Sequence, residues 1–152
     1  MKDGVRIREL QPSDSFANFS LAPEDERLEN FFKQDSKEYQ RLLLACTYVF
    51  VEEERILGAI SLVCSDIYDT TSYVRDTIEL EGVNFPRNNF PAVKIARLAV
   101  DKEHQKKGIG TQLVDFSIKR ASSRWTYQTQ RNLISAPTTP TVATSKLTIC
   151  KR

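Results

Sequence analysis

Alternating and helical spacings of hydrophobic residues divide the first part of the chain into four elements. Residues 5–8 alternate apolar and polar side chains, which predicts a strand with one buried face. Apolar residues recur near helical spacing over 25–43, after an acidic start typical of a helix N-terminus. The apolar segment 16–21 is ambiguous, and a short helix is one interpretation of it. Two runs of strand formers, 46–51 and 56–63, flank a polar break and predict an antiparallel hairpin.

The pattern beyond residue 64 is less regular. Residues 65–91 are polar and rich in turn-forming residues, which predicts a long irregular connection. A continuous apolar run over 93–100 predicts a strand near the centre of the sheet. Residues 109–122 predict an amphipathic helix. Its apolar face comprises Ile109, Leu113, Phe116 and Ile118.

The sequence changes character after the helix. Residues 1–152 predict a single domain, in which 123–152 form an atypical C-terminal segment. Residues 124–128 could begin a strand, and 142–149 could form one edge strand or none. Between them the chain is rich in threonine and proline and shows neither helical nor strand periodicity.

Composition excludes several classes of protein. Hydrophobic residues make up 40% of the chain and charged residues 28%, with a net charge of +2, which does not indicate a nucleic-acid-binding surface. No apolar run is long enough to span a membrane, and the N-terminus does not resemble a signal peptide. Cys46, Cys64 and Cys150 lack metal-ligand spacing. We therefore expect buried reduced thiols, no bound metal and a cytoplasmic protein.

The predicted strand at 93–100 leads through a polar turn into residues 105–111, Gln-Lys-Lys-Gly-Ile-Gly-Thr. Glycines let a backbone approach a ligand closely, and the first N–H groups of the following helix have no intrahelical partner. The helix dipole adds about half a positive charge at the same end. This combination predicts a pyrophosphate-binding loop.

Three ligand classes compete for such a loop. A nucleoside triphosphate loop carries lysine and then serine or threonine directly after its second glycine, whereas Thr111 and Gln112 follow Gly110 here. A dinucleotide fingerprint needs a third glycine or alanine where this chain has Leu113. Acyl-coenzyme A is the remaining ligand class.

The segment from Arg97 to Leu113, with its strand–turn–helix setting, closely resembles the central motif of the GNAT superfamily of N-acetyltransferases. The resemblance covers residues 5–122 and implies an α/β (α+β) fold with a mixed, mostly antiparallel central sheet flanked by helices. It also implies acetyl-CoA as co-substrate, with its pantetheine arm along the strand and its pyrophosphate in the loop. The residues implied are Leu98, Ala99 and Val100 for pantetheine, and Gln105, Lys106, Lys107, Gly108, Ile109, Gly110 and Thr111 for pyrophosphate.

Residues 28–32, 46–49 and 95–101 look like the acetyltransferases that act as toxins in bacterial and archaeal toxin–antitoxin pairs and modify the amino group of aminoacyl-tRNA. This resemblance implies an N-acetyltransferase whose acceptor is a primary amine of aminoacyl-tRNA, a protein or a small molecule. It also implies an antitoxin protein as a partner and is compatible with a homodimer. Arg97 stands where members of this group often carry arginine. A strand-end arginine paired with a carboxylate is the alternative.

Acetyl transfer needs a base for the amine, a donor that polarises the thioester carbonyl and an acid for the leaving thiolate. A backbone N–H where the strand splits near Val100 is the expected polarising donor. In GNAT proteins the acid is often a tyrosine in a Phe-Tyr pair, which residues 123–152 lack. Tyr127 is the remaining candidate, with an ordinary strand residue as the alternative. His104 is expected to be a solvated turn residue rather than a base.

The missing Phe-Tyr pair leaves two hypotheses open for function. The chain is either a catalytic N-acetyltransferase or a non-catalytic acetyl-CoA-binding module that acts through a protein partner. The same departure leaves two explanations for residues 123–152. Either this segment is built differently from that of its family, or it reflects an altered reading frame or a truncation.

Overall fold

Four antiparallel strands form one sheet in chain order. The computed structural model describes residues 4–68 and 89–132, with side chains over 4–66, at 68 and over 92–121. The first strand and the hairpin are confirmed, and the pairing of the third and fourth strands extends to Tyr68 and Asn89. Both ends of the predicted connection are therefore strand. The strands are β1 (Val5–Glu9), β2 (Cys46–Glu52), β3 (Arg55–Tyr68) and β4 (Asn89–Val100).

Strand β4 is the last strand of the sheet in the described ranges, not a central one. Its continuous apolar pattern arises because helices cover both of its faces. Ala99 belongs to one buried cluster, whereas Ile95, Leu98 and Val100 pack with the cluster on the opposite face. An apolar run therefore reports burial on two faces, and it does not report the number of neighbouring strands.

A nearly continuous helical segment covers the first face. It comprises α1 (Glu26–Asn30), a π-helical turn (Phe31–Asp35) and α2 (Ser36–Arg41), which confirms the helix predicted over 25–43. Phe31 and Phe32 are buried in this layer with Phe16 and Phe19, and their rings contact one another at 5.3–6.2 Å between centroids.

Residues 16–21 are an irregular loop rather than a short helix. A single turn closes where the Phe19 N–H donates to the Phe16 carbonyl at 3.0 Å. The next two N–H groups donate to carboxylates instead, from Ser20 to Asp101 and from Leu21 to Glu29. Because side chains satisfy these N–H groups, the segment can bury its apolar residues without helical hydrogen bonds.

Helix α3 (Ile109–Asn132) covers the opposite face of the sheet. Ile109 and Leu113 are buried there and Phe116 packs beside them, as predicted. Ser117 is also buried, where its hydroxyl donates to the Leu113 carbonyl at 2.8 Å. The helix continues through residues 123–132, so the strand suggested over 124–128 is wrong. The suggested strand at 142–149 and Cys150 lie outside the described residues.

Gly58 lets α3 approach the sheet closely. A Cβ atom on Gly58 would lie 2.9 Å from Ile109 Cγ2, closer than real Cβ contacts, and 3.0 Å from Leu113 Cδ1, which is unusually tight. The absence of a side chain at Gly58 therefore allows the first turn of α3 to pack closely against β3.

The expectation of buried thiols is wrong for Cys64, which is exposed, and Cys46 is half-buried. Val93, which pairs with Cys64 across the sheet, is exposed as well. No helix within the described ranges is long and apolar enough to cross a membrane.

Candidate functional site

A cleft of about 360 Å³ lies between the end of β4 and the N-terminus of α3. It brings together nine of the ten residues predicted to bind the co-substrate, and Lys107 is not among its lining residues. No described residue outside 98–111 lines it. The lining residues are Leu98, Ala99, Val100, Gln105, Lys106, Gly108, Ile109, Gly110 and Thr111.

The loop turns sharply before α3 begins. A 3₁₀ turn (Lys102–His104) follows β4, and then Lys106 and Gly108 adopt positive φ angles of 61° and 79°. The left-handed region suits glycine and strains lysine modestly. The chain thus reverses within a few residues and places the helix N-terminus against the cleft.

Three backbone N–H groups at the start of α3 precede its intrahelical hydrogen bonds. The first such bond runs from the Gln112 N–H to the Gly108 carbonyl at 3.1 Å. Ile109, Gly110 and Thr111 therefore reach the cleft with N–H groups that have no partner within the helix. Together with the helix dipole, these groups can hold an anionic ligand such as a pyrophosphate.

Asp101 anchors the turn that leads into the loop. Its buried carboxylate accepts hydrogen bonds from the N–H groups of Ser20 at 3.0 Å and Glu103 at 3.3 Å, and it lies 2.8 Å from Nδ1 of His104. Burial raises the pKa of Asp101, but the hydrogen bonds from His104 and the two N–H groups outweigh it and lower that pKa overall. The carboxylate therefore ties the loop before α1 to the turn after β4.

His104 differs from the solvated residue that the sequence predicts. It is partly buried and paired with Asp101, and it does not line the cleft. This pairing over three residues gives the imidazole a role in holding the turn. In the sequence, the Asp-x-x-His spacing directly after an apolar strand is the feature that indicates this pairing.

A β-bulge in β4 determines where Arg97 points. Ser61 pairs with Arg97, whereas the next residue of β3, Leu62, pairs with Ile95, so Ala96 is the extra residue. The bulge lies at Ala96 and not near Val100, which pairs regularly with Gly58. The bulge places Ile95 and Arg97 on opposite faces of the sheet.

Arg97 stacks on an aromatic ring and does not form the alternative carboxylate pair. Its Cζ atom lies 3.8 Å from the centroid of the buried Phe31 ring. Among the side chains that are described, no carboxylate forms an ion pair with it. Arg97 stands out in the sequence, but its aromatic partner Phe31 lies in a distant helical turn.

No tyrosine whose side chain is described lines the cleft. The Tyr39 ring packs on Phe31, and the Tyr48 ring packs on Phe116 with its hydroxyl 3.4 Å from Nε of Arg120. Burial, reinforced by a hydrogen bond to Cys46, raises the pKa of Tyr48. Tyr127 lies within α3 rather than in a strand, and 17 residues of helix separate it from Gly110 by roughly 25 Å.

Comparison with known proteins agrees with this architecture. A family model described as an acetyltransferase (GNAT) domain matches residues 44–143. No curated protein matches the chain in sequence.

Solved structures with similar folds include those of KacT and of the toxin AtaT. A tyrosine-to-phenylalanine mutant of KacT is 24% identical with a TM-score of 0.65, covering 78% of this chain and 69% of KacT. AtaT complexed with acetyl-methionyl-tRNAfMet is 20% identical with a TM-score of 0.66, covering 79% of this chain and 70% of AtaT. AtaTR bound with acetyl-CoA is 23% identical with a TM-score of 0.64, covering 80% and 70%.

The family model spans well over half of the chain, including β2, β3, β4, the loop and α3. The antiparallel sheet with a helical layer on each face agrees with the mixed fold that the motif implied. The chain belongs to the acetyltransferase (GNAT) domain family.

Proposed function

We propose that the chain transfers the acetyl group of acetyl-CoA to the α-amino group of an aminoacyl-tRNA. The observation that carries the acetyl-CoA part of the proposal is the cleft, in which the end of β4 meets N–H groups of α3 that have no partner within the helix. A strand edge and an anion-binding helix terminus suit a ligand with an amide-containing arm and a pyrophosphate. Acetyl-CoA combines these groups and supplies an acetyl group activated as a thioester.

Different residues of the cleft would bind different parts of acetyl-CoA. The backbone of Leu98, Ala99 and Val100 would pair with the pantetheine arm along the outer edge of β4, as an added strand pairs with a sheet. The N–H groups at the start of α3 would hold the pyrophosphate. Lys106 lines the cleft and Lys107 follows it, so both add positive charge near the phosphates.

Fold relatives support the choice of donor and acceptor. AtaT has been solved with acetyl-methionyl-tRNAfMet, and AtaTR has been solved with acetyl-CoA. We propose a charged tRNA as the acceptor of this chain on that basis, and the cytoplasm as its location, since charged tRNA is used there. AtaT bound to acetyl-CoA and the C-terminus of the antitoxin AtaR supports an antitoxin as a partner. We also propose that the chain forms a homodimer. We propose further that it is a single domain in which residues 123–152 are an atypical segment.

A non-catalytic acetyl-CoA-binding module is the second candidate. It is favoured by one observation, which is that none of the described tyrosine side chains lines the cleft to protonate the leaving thiolate. In this alternative the cleft binds acetyl-CoA without turnover, and the complex acts through a protein partner.

An acetyl-transfer assay tests the proposed function directly. The full chain is incubated with acetyl-labelled acetyl-CoA and methionyl-tRNA, with uncharged tRNA and a small-amine panel in parallel. We expect the label on the amino group of the charged tRNA and none on uncharged tRNA. Label on small amines alone would move the acceptor to another class, and saturable binding without any transfer would favour the binding module.

A further inference from the structure

We propose that Arg97 is a phosphate-binding residue for the acceptor, which holds a phosphodiester of the nucleic acid beside the cleft. This inference rests on the proposed function. It identifies the residue that would recognise a nucleic-acid acceptor, whereas the residues of the cleft recognise only the acetyl donor.

The position of Arg97 suits that role. It directly precedes Leu98, which lines the donor cleft, and the bulge at Ala96 directs its side chain to the face covered by α1. The donor cleft occupies the end of β4 and the start of α3. An acceptor that approaches over the α1 face would therefore meet Arg97 next to the site of transfer.

The surroundings of Arg97 leave its charge without a described anion. Thr47, Ser61 and Arg97 form one polar row across β2, β3 and β4, and the Thr47 hydroxyl donates to the Ser61 hydroxyl at 3.3 Å. Thr47 and Ser61 are fully buried, whereas Arg97 is half-buried at the end of the row. The row therefore ends in a guanidinium at the edge of the described sheet.

Two other arginines of the chain are each held by both oxygens of a carboxylate. Arg8 is clamped by both oxygens of Asp14 at 2.6 and 2.7 Å, and Arg41 is held by both oxygens of Glu38. Arg97 instead stacks on Phe31, and no described carboxylate neutralises it. The ring restricts the guanidinium without using its N–H donors, which prepares them for a planar, bidentate anion such as phosphate.

Two substitutions separate charge from packing. Arg97→Met keeps an apolar stem against Phe31 and removes the charge, whereas Arg97→Lys keeps a charge and loses the planar fork. Arg41→Met removes the same charge from an exposed site and controls for net charge. Acetylation of methionyl-tRNA is measured for each variant over a range of salt concentrations, together with the Kd for acetyl-CoA by calorimetry.

We expect Arg97→Met to raise the KM for methionyl-tRNA by about tenfold to hundredfold, with kcat and the Kd for acetyl-CoA unchanged. The slope of log KM against log salt should fall by about 0.7–0.9, since one phosphate contact is lost, and Arg97→Lys should retain most of it. Arg41→Met should behave as the wild type. An unchanged KM, or a raised KM with an unchanged salt slope, would overturn the inference.

A failure of the proposed function would be visible separately. If the wild type does not acetylate methionyl-tRNA, binding of the same tRNA is measured directly over the same salt range. A lower salt slope in Arg97→Met would then support the phosphate contact without the transfer reaction. Equal slopes in the wild type and Arg97→Met, or no tRNA binding at all, would overturn it.

Discussion

Replacing Gly110 with aspartate is expected to weaken acetyl-CoA binding more than a hundredfold and to leave the fold intact. Gly110 lines the cleft, and a Cβ atom there meets only Val100 Cγ2 at 3.7 Å, an ordinary contact. A carboxylate at this position would lie among the N–H groups proposed to hold the pyrophosphate. Like charges a few Å apart near a protein surface repel by about 3–4 kcal/mol, which exceeds a hundredfold in Kd.

The stability of this variant separates a lost ligand site from a damaged fold. An acidic residue in the first turn of a helix complements the dipole and adds roughly 0.3–1 kcal/mol, so the apo form of Gly110→Asp should melt no earlier than the wild type. Gly110→Asn, which has the same size and no charge, is the control. It should lose far less affinity than Gly110→Asp in calorimetric titrations with acetyl-CoA. Equal losses in both variants would show that charge at Gly110 is irrelevant.

Replacing Asp101 with asparagine is expected to lower the free energy of unfolding by about 3 kcal/mol. One oxygen can still accept from Ser20, but the amide group would then face the N–H of Glu103 and Nδ1 of His104. The N–H of Glu103, and that of His104 Nδ1 when the ring carries its proton there, lose their acceptor in this partly buried turn at about 1–3 kcal/mol each. The melting temperature should fall by roughly 6–12 °C. The matched control is Glu103→Gln, which alters an exposed carboxyl of the same turn and should change stability little.

The pH dependence of stability distinguishes Asp101→Asn from the wild type. Because its hydrogen bonds lower the pKa of Asp101 in the folded protein, its contribution is present above the unfolded pKa of about 3.9. That contribution is lost as the pH falls through the folded pKa. Urea unfolding between about pH 5 and pH 2 should therefore show a smaller loss in Asp101→Asn than in the wild type. Parallel curves would contradict the assigned role of this carboxylate.

The donor cleft could be predicted from the sequence because its parts are local. The lining residues lie within one strand–loop–helix segment, and the spacing of Gly108 and Gly110 already implies a turn into a helix. The alternation of residues 5–8 and the hairpin predicted their elements for the same reason. Each pattern reports which faces of a single element are buried.

Contacts between distant segments could not be predicted. Nothing near Arg97 in sequence indicates that Ala96 is bulged, or that Phe31 stacks on the guanidinium. Residues 16–21 are irregular because Asp101, some eighty residues later, accepts the N–H of Ser20. Gly58 does not lie in a turn. A side chain there would crowd the first turn of α3, which packs against it. Such features depend on tertiary contacts that local propensity does not encode.

The extension of α3 through residues 123–132 illustrates a different limit. This stretch is polar and lacks an apolar stripe, so periodicity did not favour a helix there. A helix that has already begun continues at little cost, since each added residue gains one hydrogen bond. Aromatic residues such as Trp125 and Tyr127 favoured a strand on propensity alone.

Binding of acetyl-CoA at the cleft is the central claim, and a nuclear magnetic resonance titration of backbone amides tests it most directly. The labelled full chain is titrated with acetyl-CoA, and the shift of each assigned amide is followed to saturation. The largest shifts are expected at Ile109, Gly110 and Thr111, with a second group at Leu98 and Val100. Saturable shifts centred elsewhere, or the absence of saturable binding, would contradict the claim.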